Sequence, residues 1–225
     1  MGDVIGRGRD AEILDHGPGL VLRHPLRPRS LSHEAGVMRW LTEHGYPSPR
    51  VVEETAEGLV MERVDGPTML ESLTARTTRG HLRDLAGLHA QLHRLPVPPG
   101  LPTPYGDGPT LLHGDLHPGN VILTDDGPVV IDWTNASAGP AGVDPATTWL
   151  LLGAAGLPEG RIVAAGALLG RRIAVAAFLG AVAEGGEDVA AREALPAVLA
   201  ERRHDPNMTA SELARMTRIV RRHRG

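Results

Sequence analysis

The stretch Leu111–Trp133, LLHGDLHPGNVILTDDGPVVIDW, decides how the chain reads. It packs His113, Asp115, His117 and Asn120 into a bend rich in Gly and Pro. Val121–Thr124 and Val129–Asp132 follow as two short apolar runs, and the sequence TDDGP between them is a turn signal, so Asp132 closes a hairpin. Gly114, Pro118 and Gly119 argue against a helix through this bend, so His113 and His117 do not read as a metal-binding pair one helical turn apart.

An Asp five residues before an Asn, with a second Asp beyond a hairpin, suits phosphoryl transfer. That chemistry needs one carboxylate to accept the proton of the attacking hydroxyl. It also needs an amide oxygen and a second carboxylate for a magnesium ion on the nucleotide phosphates. Mg²⁺ is a hard cation and takes oxygen ligands, which Asn and Asp supply better than His. The rival reading of His113, Asp115 and His117 is a metal-dependent hydrolase, and the bland one is an ordinary loop followed by a hairpin.

The rest of the chain sets the frame. Its 225 residues are 41% hydrophobic and 22% charged, enough for a packed core in one large domain or two small lobes. With a formal net charge of −4, a broad nucleic-acid-binding surface is not the default reading, and no nucleic-acid partner is expected. With no Cys, disulfides, thiol catalysis and Cys-bound zinc are excluded. The N-terminus lacks a signal-type apolar segment, and Arg171 and Arg172 interrupt the most apolar run, Ile162–Val182, so no membrane span is expected and the expected location is cytoplasmic. Every basic residue other than His is Arg, so any role that usually falls to Lys must be filled by Arg.

Residues 1–63 read as short strands (Val4–Gly6, Ala11–Leu14, Gly19–Arg23, then a pair around Thr55–Glu57) with one helix over Ser32–His44 that Ser32 is expected to cap. At Asp65-Gly66-Pro67 the pattern changes. Gly80–Leu95 carries a Leu82, Leu85, His89, Leu92 stripe, with His89 and His93 expected at the core edge. Further helices are expected at about 145–155, 160–184, 187–203 and 209–223. The expected class is α+β, with a small antiparallel-sheet lobe over 1–63 and a larger, mainly helical lobe over 64–225.

The motif segment resembles the catalytic region of the aminoglycoside phosphotransferase family, the small-molecule branch of the protein-kinase-like fold. His-x-Asp-Leu-x-x-x-Asn is matched by His113 to Asn120, and Asp132-Trp133 stands where protein kinases carry Asp-Phe-Gly. The resemblance implies a two-lobed kinase-like fold, Asp115 as catalytic base, Asn120 and Asp132 as Mg²⁺ ligands, and His113 as a brace. More weakly, IGRGRDAEIL looks like a nucleotide-covering glycine loop with Gly6 and Gly8. Arg23 in LVLRHP stands at the phosphate-pairing Lys, with Glu34 as its partner. In VMERVDG the backbone of Glu62 to Val64 would meet the nucleotide base, and Asp144 looks like a family Asp that supports the catalytic loop. The implied activity is Mg²⁺-dependent transfer of the γ-phosphoryl group of ATP or GTP to a hydroxyl of a small molecule, antibiotic or metabolite. Arg is not equivalent to Lys, and its larger guanidinium is expected to displace either the phosphates or the Glu34 pair. That departure keeps open a nucleotide-binding pseudokinase acting as scaffold or sensor. The acids Glu159, Glu184, Glu187, Asp188 and Glu193 do not by themselves make a pocket for a polycationic acceptor.

Overall fold

The computed structural model describes residues 2–8, 10–156 and 161–223, without the side chains of 161–165. Glu159 lies outside the described residues. Strands β1 (Val4–Arg7), β2 (Ala11–Asp15) and β3 (Leu20–Pro25) precede helix α1 (Ser32–Glu43), and β4 (Val51–Glu54) and β5 (Leu59–Glu62) follow it. They form one antiparallel sheet in the order β1-β2-β3-β5-β4. Ser32 does not cap α1. Leu31 occupies that position, and the Ser32 hydroxyl donates instead to Glu54 on the neighbouring strand.

Helix α2 (Thr78–Leu92) ends before the expected Leu95; turn-type bonds from Arg94 to Gln91 and from Leu95 to Leu92 continue the chain beyond it. Next come β6 (Thr110–Leu112), β7 (Val121–Thr124), β8 (Gly127–Val130) and β9 (Ser137–Gly139). β7 and β8 are the expected hairpin, although β8 stops two residues short of Asp132. β6 and β9 pair antiparallel and are fully buried; at three residues each they are too short to show a period in sequence. Helices α3 (Val143–Ala154), α4 (Arg161–Glu184), α5 (Asp188–Arg202) and α6 (Ala210–His223) complete the chain within a residue or two of expectation.

The turn between sheet and helices is tightly seated. Gly66 has φ +151°, and a Cβ there would lie 2.1 Å from the Leu123 carbonyl oxygen, so this position takes only Gly without moving β7. One apolar core runs through both parts of the molecule. Met38 and Leu41 of α1 belong to the same buried cluster as Leu85 of α2, Trp133 and Phe178 of α4. The sheet has only a small separate cluster of Leu14, Leu22 and Val60.

Within α4, Gly166–Glu184 is long and apolar enough to cross a membrane by length and composition, despite Arg171 and Arg172, and 17% of it is buried. It packs on α2 through one stripe of Ala174, Phe178 and Val182, while Leu168, Leu169 and Ile173 are exposed. Phe178 is fully buried and meets His89 edge-on at 5.7 Å. Phe178→Ala is expected to cost about 3–5 kcal/mol by urea denaturation; a loss under about 1 kcal/mol would show that α4 does not anchor the core.

Candidate active site

Strand β6 delivers His113 into the bend. Gly114 follows with φ +76°, and a Cβ there would sit 2.6 Å from the Asn135 carbonyl oxygen, so the chain can reverse only with Gly. Pro118–Asn120 form one short 3-10 turn, capped by the His117 ring, whose Nδ1 accepts from Gly119 N at 3.0 Å. Asn120 donates its side-chain N–H to the Asp115 carbonyl at 3.0 Å, which fixes the amide and leaves its oxygen as the acceptor. Ile131 N donates to Asn120 O at 3.0 Å and draws the end of the hairpin alongside. Asp132 then takes φ +65°, the one left-handed non-Gly residue among the described residues, a costly conformation held by its surroundings. Trp133 behind it is fully buried and donates to Val130 O.

His113 braces both limbs. Asp115 N donates to its Nδ1 at 3.2 Å, so the ring proton sits on Nε2 and is donated to Ile131 O at 3.1 Å. Both ring nitrogens are therefore occupied. His117 Nε2 lies 3.9 Å from Asp115 Oδ2. This arrangement leaves His113 no nitrogen for a metal and counts against the hydrolase reading.

Arg23 on β3 reaches both sides of the cleft. Its Nε pairs with Glu34 at 3.0 Å, and its Nη2 donates at 2.9 Å to Asp132 Oδ1 and at 2.9 Å to Thr134 Oγ1. Thr134 Oγ1 also lies 2.9 Å from Asp132 Oδ1. The Glu34 pair is thus not displaced by the larger side chain. A planar fork can hold two carboxylates and a hydroxyl at once, which a Lys ammonium on its flexible stem does less well. Burial dominates at Glu34 and raises its pKa despite Arg23. Burial also acts to raise Asp132, but there the Arg23 charge and the Thr134 hydrogen bond outweigh it and hold the carboxyl below its ordinary value.

Gly6 lies in β1 opposite Ile13, and Gly8 N donates to Ala11 O at 2.8 Å, so both belong to the β1–β2 hairpin. Glu62 N donates to Arg50 O and Arg63 N to Gly19 O, which commits both N–H groups inside the sheet; half-buried Val64 is the next residue along.

Beneath the bend lies Asp144 at the start of α3, fully buried. Its Oδ2 accepts from His113 N at 2.9 Å and its Oδ1 from Gly114 N at 2.8 Å. His93 Nε2 stands 3.4 Å from Asp144 Oδ2 and His93 Nδ1 3.3 Å from Glu187 Oε1. Thr148 donates its hydroxyl to Leu116 O and accepts from His89 Nε2 at 3.0 Å. His89 and His93 are therefore part of the loop's support rather than edge filling. The donor atoms of His89, His93 and Asp144 lie within 4.8 Å of one another, a spacing that could hold a metal ion. His93 meets that need without one. Burial pushes its pKa down, but hydrogen bonds to Asp144 and Glu187, with their charges, outweigh burial and lift it to about 9. Burial acts to raise Asp144, yet the two His hold it well below its ordinary value.

A further group comes from α5. Arg202 Nη2 donates to Asp115 Oδ1 at 2.5 Å and to Gly114 O at 2.8 Å, and Nη1 lies 3.4 Å from Asp205 Oδ2. Neither Arg202 nor Thr134 stood out in sequence. Arg202 sits in an unremarkable ERRHD run, and Thr134 has only its place two residues after Asp132 as a signal.

A model of the phosphotransferase enzyme family matches residues 9–107 and 98–179. The chain belongs to this phosphotransferase family. Among curated proteins, an aminoglycoside 3'-phosphotransferase of Streptomyces fradiae is 41% identical over 71 residues, 30% of this chain and 26% of that protein. The EKC/KEOPS complex subunit BUD32 of Encephalitozoon cuniculi (strain GB-M1) is 31% identical over 90 residues, 40% of this chain and 39% of that protein. The match therefore spans well under half the length of either curated relative. Among solved structures, the ADP-bound aminoglycoside phosphotransferase APH(2'')-Ib superposes with a TM-score of 0.59 at 14% identity, over 98% of this chain and 91% of that one. The fold of this phosphotransferase-family member is accordingly the two-lobed kinase-like one.

The His93 pair has a readable pH signature. Its folded pKa, about 9, stands above the ordinary 6.5, so its stabilisation is complete below about pH 6.5 and is lost as pH rises through 9. In denaturation between pH 6 and 10, wild type should lose at most about 3 kcal/mol that His93→Gln does not lose. Identical pH slopes in the two proteins would remove the ion pair from the account.

Proposed function

We propose that this protein moves the γ-phosphoryl group of ATP or GTP to a hydroxyl of a small molecule, with Mg²⁺. The observation that carries this reading is the single hydrogen-bonded group of Arg23, Glu34, Asp132 and Thr134, beside the bend that bears Asp115 and Asn120. Membership of the phosphotransferase family and the likeness to an ADP-bound member support it.

Asp115 accepts the proton of the attacking hydroxyl through Oδ2, since Oδ1 is taken by Arg202. Asn120 and Asp132 fit a hard cation. The Asn120 amide N–H is spent on the Asp115 carbonyl, so its oxygen is the free end, and Asp132 presents a carboxylate held ionised by Arg23. A magnesium ion held by Asn120 and Asp132 would supply charge neutralisation to the nucleotide phosphates. Arg23 adds a fixed positive charge for them, oriented by Glu34. Gly6 and Gly8 place the hairpin over the nucleotide, and the backbone near Val64, after Glu62, faces its base. On this reading residues 1–63 cover the nucleotide and 64–225 carry the catalytic loop and the acceptor. Rate enhancement comes from positioning and charge neutralisation.

The Arg23–Asp132 contact favours one second reading, a nucleotide-binding pseudokinase, because a guanidinium already neutralises a metal-ligand carboxylate. Calorimetry with ATP and GTP, with and without Mg²⁺, together with turnover assays, separates the two. Asp132→Asn should weaken Mg²⁺-dependent nucleotide binding. Asp115→Ala should leave binding nearly intact and cut turnover by about 10²–10⁴-fold. Tight binding in wild type with no turnover on any hydroxyl acceptor would decide for the pseudokinase.

A further inference from the structure

The family match ends at residue 179, yet the side chain that grips the proposed base comes from beyond it. Arg202 closes α5 and is 7% exposed. Its guanidinium spans three acceptors: Gly114 O at 2.8 Å, Asp115 Oδ1 at 2.5 Å and Asp205 Oδ2 at 3.4 Å. One end of the fork holds the backbone of the bend and the carboxylate it carries. The other is tied to its own helix end by Asp205, three residues on. A buried charge with these partners is expensive to move, so the carboxylate rotamer is fixed. The two Asp115 oxygens are thereby made unequal. Oδ1 is committed to Arg202, whereas Oδ2 faces the His117 ring, with Nε2 at 3.9 Å.

Resting on the phosphotransferase reading, we propose that Arg202 is the positioning residue of Asp115. Arg202 takes no proton itself; the hydroxyl proton goes to Asp115 Oδ2 as the new O–P bond forms and the bond to the nucleoside diphosphate breaks.

The test compares wild type, Arg202→Gln and Arg202→Lys. Release of nucleoside diphosphate is followed with water alone and with neutral sugars, polyols, hydroxy acids and aminoglycosides as acceptors. Magnesium-nucleotide affinity is measured alongside by calorimetry. Arg202→Gln should lower kcat about 100-fold, with nucleotide affinity and KM for nucleotide unchanged. Arg202→Lys, which keeps the charge but cannot span all three acceptors, should recover part of the loss. Wild-type kcat in either folded variant overturns the assignment; should Arg202→Gln not fold, Arg202→Lys carries the comparison. Failure of wild type to bind any magnesium nucleotide would instead overturn the phosphotransferase reading beneath it.

Discussion

The buried carboxylate of Asp144 is the constraint on which the rest of the site depends. A fully desolvated charge is tolerated only if nearby groups replace its hydration, and here two backbone N–H groups and a charged imidazole do so. Those N–H groups belong to His113 and Gly114, so satisfying the carboxylate and shaping the bend are one event. His93 links the same charge to Glu187, and His89 reaches Leu116 through Thr148. The bend is thus suspended from α2 and α3 rather than lying loosely over them.

Arginine does the cationic work at both ends of the cleft, in a chain without Lys. Arg23 and Arg202 each spread one guanidinium over two carboxylates, and each fixes the rotamer of one Asp of the candidate site. A fork distributes charge by direction as well as by distance, so an Asp held this way has one oxygen assigned and one left over. The left-handed backbone at Asp132 belongs to the same arrangement, because the contacts to Arg23 and Thr134 hold its carboxylate where an ordinary strand end would not.

The bend from His113 to Asn120 was legible in sequence because its residues lie close together in the chain and their turn chemistry is local. The order of strands and helices was legible for the same reason, through periodicity. Strands β6 and β9 were not, since three buried residues carry no period. Ser32 misled as a helix cap because its hydroxyl had a better partner on an adjacent strand, a tertiary fact. His89, His93 and Asp144 could each be noticed, but a sequence does not say that a helix stripe and a distant Asp share one buried charge. Arg202 is the extreme case, joined to Asp115 across 87 residues by the docking of α5 alone.

The shared apolar core has a mechanical consequence. Swinging α1 away from the helices would uncover Met38 and Leu41 together with Trp133, and full exposure of such side chains costs about 1.5–3 kcal/mol each. Among the described residues, Leu14, Leu22 and Val60 of the sheet, with Leu20 against them, form a separate small cluster. Parting the sheet from the helices therefore costs most along α1, where the shared core would be exposed, and less along β2 and β3.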